Sequence, residues 1–146
     1  MSKLGRYSAD RKKVEDLSAD KTVGVHDCGT LFTLSTATGL TASLPTPTNA
    51  GAGWWCKFIV NTDVTDGSYA YMIKSDASDI HGTNLATSGS HTDGSSINSD
   101  GTAGTAVDII EIKAACKVGD QVELVTDGTT WFATATTYAY NAVDFN

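Results

Sequence analysis

The sequence predicts an all-β protein: a single β-sandwich or jelly-roll-like domain carrying an extended N-terminal arm. Three observations lead there. Charged residues make up only 18% of the chain, while Thr, Ser, Gly, Val and aromatic residues are frequent, a composition suited to short strands joined by many turns. Apolar and polar residues alternate, most clearly in GAGWWCKFIV (51–60) and in GDQVELVTDGTTWFATATTYAY (119–140), which is the period of a strand with one buried face. The 146 residues, 40% of them hydrophobic, suffice for one core and leave little for a second complete domain.

Residues 1–22 read as the arm, because Leu4, Tyr7, Val14 and Leu17 are their only large apolar groups. Tyr7, Val14 and Leu17 can share one face of a short helix, with DRKK and ED on the other. Lys3, Arg6, Arg11, Lys12, Lys13 and Lys21 outnumber Asp10, Glu15, Asp16 and Asp20, so residues 1–21 carry a net charge of +2, and a chain of total charge −7 leaves −9 on the remainder. An acidic body is poorly suited to a phosphate backbone, which needs a cationic face; nucleic acid is not an expected partner. Stretched out, the arm spans roughly 70 Å.

The body, residues 23–146, follows strand by strand. TVGVHDCG and TLFTLS are short β-type runs parted at Asp27–Gly29, LTASLP stops at Pro45, and TPTNAGAG makes a turn. In the next strand Trp54, Cys56, Phe58 and Val60 share a wholly apolar face and belong to the core. Trp55, Lys57 and Ile59 share the other, a face covered in part by another sheet or subunit, where Trp55 is either an interface anchor or a residue at the rim of the core. SYAYMIKS sets Tyr69, Tyr71 and Ile73 against Ala70, Met72 and Lys74. Residues 83–106 read as an exposed loop, with Leu85 and Ile97 their only large apolar groups. VDIIEIK is apolar enough for cover on both faces. Asp127–Gly128 signals a type I′ hairpin, whose arms bury Val122, Leu124, Trp131, Ala133 and Ala135 on one face.

Convergent chemistry is harder to find. Cys28, Cys56 and Cys116 have no C-x-x-C spacing and read as small, reduced, apolar fillers. His26 suits a strand end or a cap; His81 and His91 have no nucleophile signature beside them. Asp63, Asp66, Asp76, Asp79, Asp93 and Asp100 mostly neighbour Gly, Ser, Asn or Thr, as turn formers do, and NTDVTDG and NSDG lack the spacing of a calcium loop. Phosphate-loop, nucleophile-elbow and zinc-helix motifs are missing. The expectation is therefore no catalysis, no metal and no cofactor. No apolar stretch follows the basic residues of the N-terminus and no run of apolar residues is long enough for a span, so neither signal peptide nor membrane helix is expected, and synthesis is placed in a cytoplasm.

HDCGTLFTL (26–34), LTASLP (40–45), GAGWWCKFIV (51–60), SDIHG (78–82) and GDQVELVTDGTTWFATA (119–135) together resemble the head decoration, or cement, proteins of tailed bacteriophages. The element GD-x-VE-x-x-x-DG-x-x-W is the most distinctive. The resemblance implies a homotrimeric structural protein on the outer surface of a virion, made in the host cytoplasm, that clamps neighbouring major capsid protein subunits without catalysing a reaction. On that reading Leu4, Arg6, Tyr7, Arg11, Lys12, Lys13, Val14 and Leu17 contact the capsid, and Trp55, Ile59, Tyr138, Tyr140 and Phe145 join the protomers. A rival expectation is a fibre or receptor-recognition module that stacks Trp55, Tyr69 or the 83–106 loop on host carbohydrate. An enzyme built on His26 or Cys28 is the third.

Overall fold

A computed structural model describes residues 11–88 and 106–146. Leu4, Arg6, Tyr7, His91 and NSDG therefore lie outside the described residues. The strands are β1 (Lys13–Leu17), β2 (Lys21–Thr22), β3 (Thr30–Leu34), β4 (Leu40–Ser43), β5 (Trp55–Val60), β6 (Tyr71–Lys74), β7 (Ile80–Ser88), β8 (Ile109–Ile112), β9 (Gln121–Thr126), β10 (Trp131–Ala139) and β11 (Val143–Phe145), with a 3₁₀ turn at Val25–Asp27 and a single helical turn, α1, at Pro47–Ala50. They form two sheets, a six-stranded one in the order β1-β3-β5-β9-β10-β7 and a five-stranded one in the order β11-β8-β6-β4-β2. The β-sandwich expectation is met.

Its connectivity is a coil. From β1 to β8 the chain alternates between the sheets; β1, β3 and β5 pair parallel in one and β2, β4 and β6 in the other, whereas β8 joins β6 antiparallel. The β9–β10 hairpin then enters the six-stranded sheet, pairing antiparallel with β5 on one side and parallel with β7 on the other.

Alternation explains which residues fill the core. Phe32 and Leu34, Cys56, Phe58 and Val60, Val122 and Leu124, and Trp131, Ala133 and Ala135 point inward from one sheet; Leu40 and Ala42, Tyr71 and Ile73, Ile110 and Ile112, and Val143 and Phe145 point inward from the other. Phe32 and Phe58 stack at 5.1 Å, and Trp54 meets Trp131 edge-on at 5.4 Å. The Trp54 indole N–H donates to the Val25 carbonyl at 2.8 Å.

Several expectations are corrected. Within the expected arm, residues 13–17 and 21–22 are extended and pair as strands of the sandwich, with no helix there: Lys13, Glu15 and Leu17 take the inward side of β1, and Leu17 is buried in the core. Residues 83–88 continue β7, because pairing with β10 outweighs the weak strand propensity of Gly82, Asn84 and Ala86. The hairpin loop has four residues, Asp127–Thr130. Gly128 alone adopts positive φ (95°), and the Asp127 carboxylate accepts the amides of Thr129 and Thr130, both at 2.8 Å, so a side-chain turn replaces type I′. Cys28 is exposed, since it follows the 3₁₀ turn instead of lying within a strand. Phe145 lies wholly inside the sandwich and offers no surface to another protomer.

Candidate contact face

The two sheets present different outer faces. On the five-stranded sheet the outward row Thr41, Met72, Glu111, Asp144 is mainly polar. On the six-stranded sheet, register aligns Trp55, Val125, Phe132 and His81 on adjacent strands. Four neighbouring strands at about 4.8 Å spacing give a row roughly 14 Å long. Val125 and Phe132 are 41% and 46% exposed, large fractions for apolar side chains set side by side. The Lys12 ammonium stands 5.2 Å over the Trp55 ring, a cation–π contact. At the other end His81 stacks beside Phe132 with centroids 6.5 Å apart.

Parallel to this row runs a second: Val14, Leu31, Lys57, Glu123, Thr134 and Thr83. Lys57 and Glu123 approach to 4.0 Å, so the row carries charge without net sign. Ile59, Gln121, Thr136 and Leu85 form part of the third. Between the last two rows lies a shallow cleft of about 170 Å³, lined by Lys57, Gln121, Glu123, Thr134 and Thr136.

Of the residues expected to join protomers, Trp55, Ile59 and Tyr138 fall on this one face, by the alternation of β5 and β10. Tyr140 lies just beyond β10, 44% exposed, its carbonyl accepting from Asn84 at 3.3 Å. Phe145 is on the inner side of the other sheet. Sequence reasoning missed Val125, Phe132, His81 and Leu85. The signal for the first two was present, since the residues opposite Leu124 and Trp131 in alternation must face outward.

The arm residues within the described segment separate by role. Arg11 and Lys12 are exposed, and Val14, 62% exposed, faces outward from edge strand β1. Lys13 is committed to an ion-pair cluster: its ammonium lies 2.8 Å from the buried Asp27 carboxylate and 3.4 Å from Glu15, while Lys21 lies 2.6 Å from Glu15 and 3.7 Å from Asp27. Burial pushes the Asp27 carboxyl upward, but the Lys13 hydrogen bond, the Gly24 amide at 2.9 Å and the Lys21 charge outweigh it and hold the group below the usual carboxylate range. Charges turned inward at an open sandwich edge also discourage unwanted strand pairing.

The other titratable candidates do structural work. Asp63 accepts from the Lys117 ammonium and the Val118 amide, and Asp66 from the Ser68 amide. Burial raises the thiol pKa of Cys56 and of Cys116, which disfavours thiolate at both. His26 is largely exposed, 3.6 Å from Asp27 at the 3₁₀ turn. Among the described residues no group of three or more His, Cys, Asp or Glu side chains is placed to hold a metal ion, and no helix is long and apolar enough to cross a membrane. Comparison with protein-family models, with curated proteins and with solved structures finds no match.

Proposed function

We propose that this is a structural protein of a bacteriophage virion, which decorates the outer surface of the capsid and stabilises it by bridging neighbouring major capsid protein subunits, and that it acts as a homotrimer. The observation that carries the reading is the outer face of the six-stranded sheet. A sheet that exposes Val125, Phe132, Leu85 and Tyr138 beside the half-buried Trp55 and Ile59 is built for cohesion with a second protein surface, whereas the outer row of the opposite sheet is mainly polar. The charge distribution supports it too: Arg11 and Lys12 project at the N-terminal edge of an otherwise acidic body, suited to an acidic shell surface. The resemblance in sequence to decoration proteins supplies the shell as the partner.

The test uses purified protein and expanded capsids of a tailed phage that encodes it, prepared without it. The expected result is saturable binding and raised thermal stability of the shells. Phe132→Ser combined with Val125→Ser is expected to abolish the effect while the fold is kept. Shells that bind the double variant as well as the natural protein would overturn the role of this face, and shells that bind neither protein would overturn the decoration reading.

The rival recognition of host carbohydrate draws support from one feature, the polar cleft lined by Lys57, Gln121, Glu123, Thr134 and Thr136 on the same sheet face as the exposed Phe132, since sugars favour hydrogen-bonding groups on a face that also offers an aromatic ring. Saccharide binding on a glycan array by protein that ignores capsids would favour that rival.

A further inference from the structure

The edge of β3 is a built receptor for one particular strand. Asp27, 1% exposed, is fixed by the Gly24 amide and awaits an ammonium, which Lys13 supplies at 2.8 Å. Thr33 and Ser35 aim hydroxyls at one carboxylate oxygen, that of Asp16, the first at 2.6 Å. The Ser35 amide donates to the Leu17 carbonyl at 2.9 Å, as Leu17 enters the core. Receptor groups lie on residues 21–35, Lys21 included, whose ammonium is 2.6 Å from Glu15, and the groups they recognise all lie on residues 13–17.

β1 is at the same time lightly held. Leu17 is its sole buried side chain; Lys13, Val14 and Asp16 are exposed and Glu15 is half-buried. β1 is an edge strand, paired with β3 alone among the described strands. The chain then passes to the other sheet through Ser18, Ala19 and Asp20, all exposed, with Asp20 tied to the Thr41 amide at 2.8 Å so that the departure point is fixed. Redirecting Ser18 and Ala19 removes nothing from the core.

We propose that β1 is an exchangeable strand, and that residues 13–17 of one copy dock on the β3 edge of a second copy. Every contact described above is reproduced in the exchanged form, because donor and receptor segments sit on opposite sides of the Ser18–Ala19 link. The free-energy difference between the closed and exchanged forms therefore reduces to the link and to association, the condition under which strand swapping gives oligomers at low cost. The partner is a second copy of this chain, recognised through a lysine, an aspartate and a leucine at positions 1, 4 and 5 of the strand. This rests on the self-association part of the proposed function and on no contact with the shell.

Val14 and Leu31 are register partners on the outer face, so Val14→Cys with Leu31→Cys, in a Cys28→Ser background, joins β1 covalently to whichever β3 it occupies. After oxidation of the concentrated protein, denaturing mass analysis without reductant is expected to show linked chains of two or more, converted to single chains by reductant. Internally linked single chains alone would overturn the exchange. As a second measurement on the natural protein, isotopically light and heavy samples are mixed and examined by native mass spectrometry: mixed species are expected, and separate light and heavy monomers would overturn the proposal. If light scattering finds oligomers whose links are all internal, exchange fails while self-association by the sheet face stands, and shell binding is measured independently of both.

Discussion

Phe145 packs its ring into the space where a side chain at Gly82 would stand, so a glycine on the six-stranded sheet and an aromatic residue on the five-stranded sheet close one edge of the sandwich together. A Cβ at residue 82 would overlap that ring, and β7 cannot retreat without breaking its ladder with β10. Gly82→Ala is expected to destabilise the protein by about 1–3 kcal/mol through overpacking. Phe145→Ala, which empties the same space, is expected to cost about 3–5 kcal/mol. Urea denaturation followed by tryptophan fluorescence measures both. The two substitutions combined are expected to cost less than the sum, and strict additivity would show that the residues do not share one space.

The Asp27 cluster sets a dependence on pH. The folded state holds this carboxyl below its ordinary range, so it binds fewer protons there than the unfolded chain does. Its contribution is therefore present above the unfolded carboxylate pKa of about 3.9 and is lost as pH falls toward the lower folded value. The Glu15 and Asp16 carboxyls are also held low, the first by Lys21 and the second by Ser35 and Thr33, and add in the same direction. Asp27→Asn is expected to cost about 1–3 kcal/mol at neutral pH, because the group is buried and hydrogen-bonded. The gap between variant and natural protein should close progressively as pH falls below about 4. A gap independent of pH over that window, read from urea midpoints, would remove Asp27 from the account.

The parts of this fold that are legible in the sequence are those governed by period two. In and just before β5 the set Trp54, Cys56, Phe58, Val60 is apolar throughout, and in β9 and β10 the inward set is apolar but for Thr126 and Thr137, so core and surface could be assigned before any partner was known. β1 broke the rule because two of its three inward residues, Lys13 and Glu15, are charged, and their compensation comes from Asp27 and Lys21, distant in sequence. β7 was hidden by Gly82, Thr83 and Asn84, whose places are set by Phe145, by the β10 ladder and by the Thr137 hydroxyl donating to Asn84 at 3.1 Å. Four of the five parallel pairings escaped for a topological reason: each of these joins strands separated by one strand of the opposite sheet, and no local pattern encodes that choice. Half of the contact face was nonetheless visible, in Trp55, Ile59 and Tyr138.

Tyr71 offers a test of how the crossovers are fixed. Its hydroxyl, on the inner side of β6, lies 2.6 Å from the Thr36 carbonyl and 2.7 Å from that of Thr62, and it accepts the Thr36 amide at 3.2 Å. One side chain thus binds both the link from β3 to β4 and the link leaving β5. Tyr71→Phe keeps the ring and strands these backbone groups, at an expected cost of about 1–3 kcal/mol. Amide hydrogen exchange should quicken at Thr36 ahead of the strand interiors. A loss of stability with unchanged exchange at Thr36 would place the cost elsewhere.

The last prediction separates cohesion within a copy from cohesion between copies. Phe132 is 46% exposed on the outer face, while its neighbour Trp131 is wholly buried, so adjacent residues of β10 serve opposite ends. Phe132→Ser removes a ring that is about half in water and half against His81 and Val125, and its effect on unfolding should be about 1 kcal/mol. Trp131→Ala removes a core ring packed against Trp54 and should cost about 3–5 kcal/mol. Association should respond in the reverse order: at matched concentration, light scattering is expected to show Phe132→Ser shifted toward single chains with its unfolding midpoint moved far less than that of Trp131→Ala. If Phe132→Ser instead lowers the unfolding midpoint of dilute single chains as far as Trp131→Ala does, the outer row is part of each copy's own fold and the contact face loses its basis.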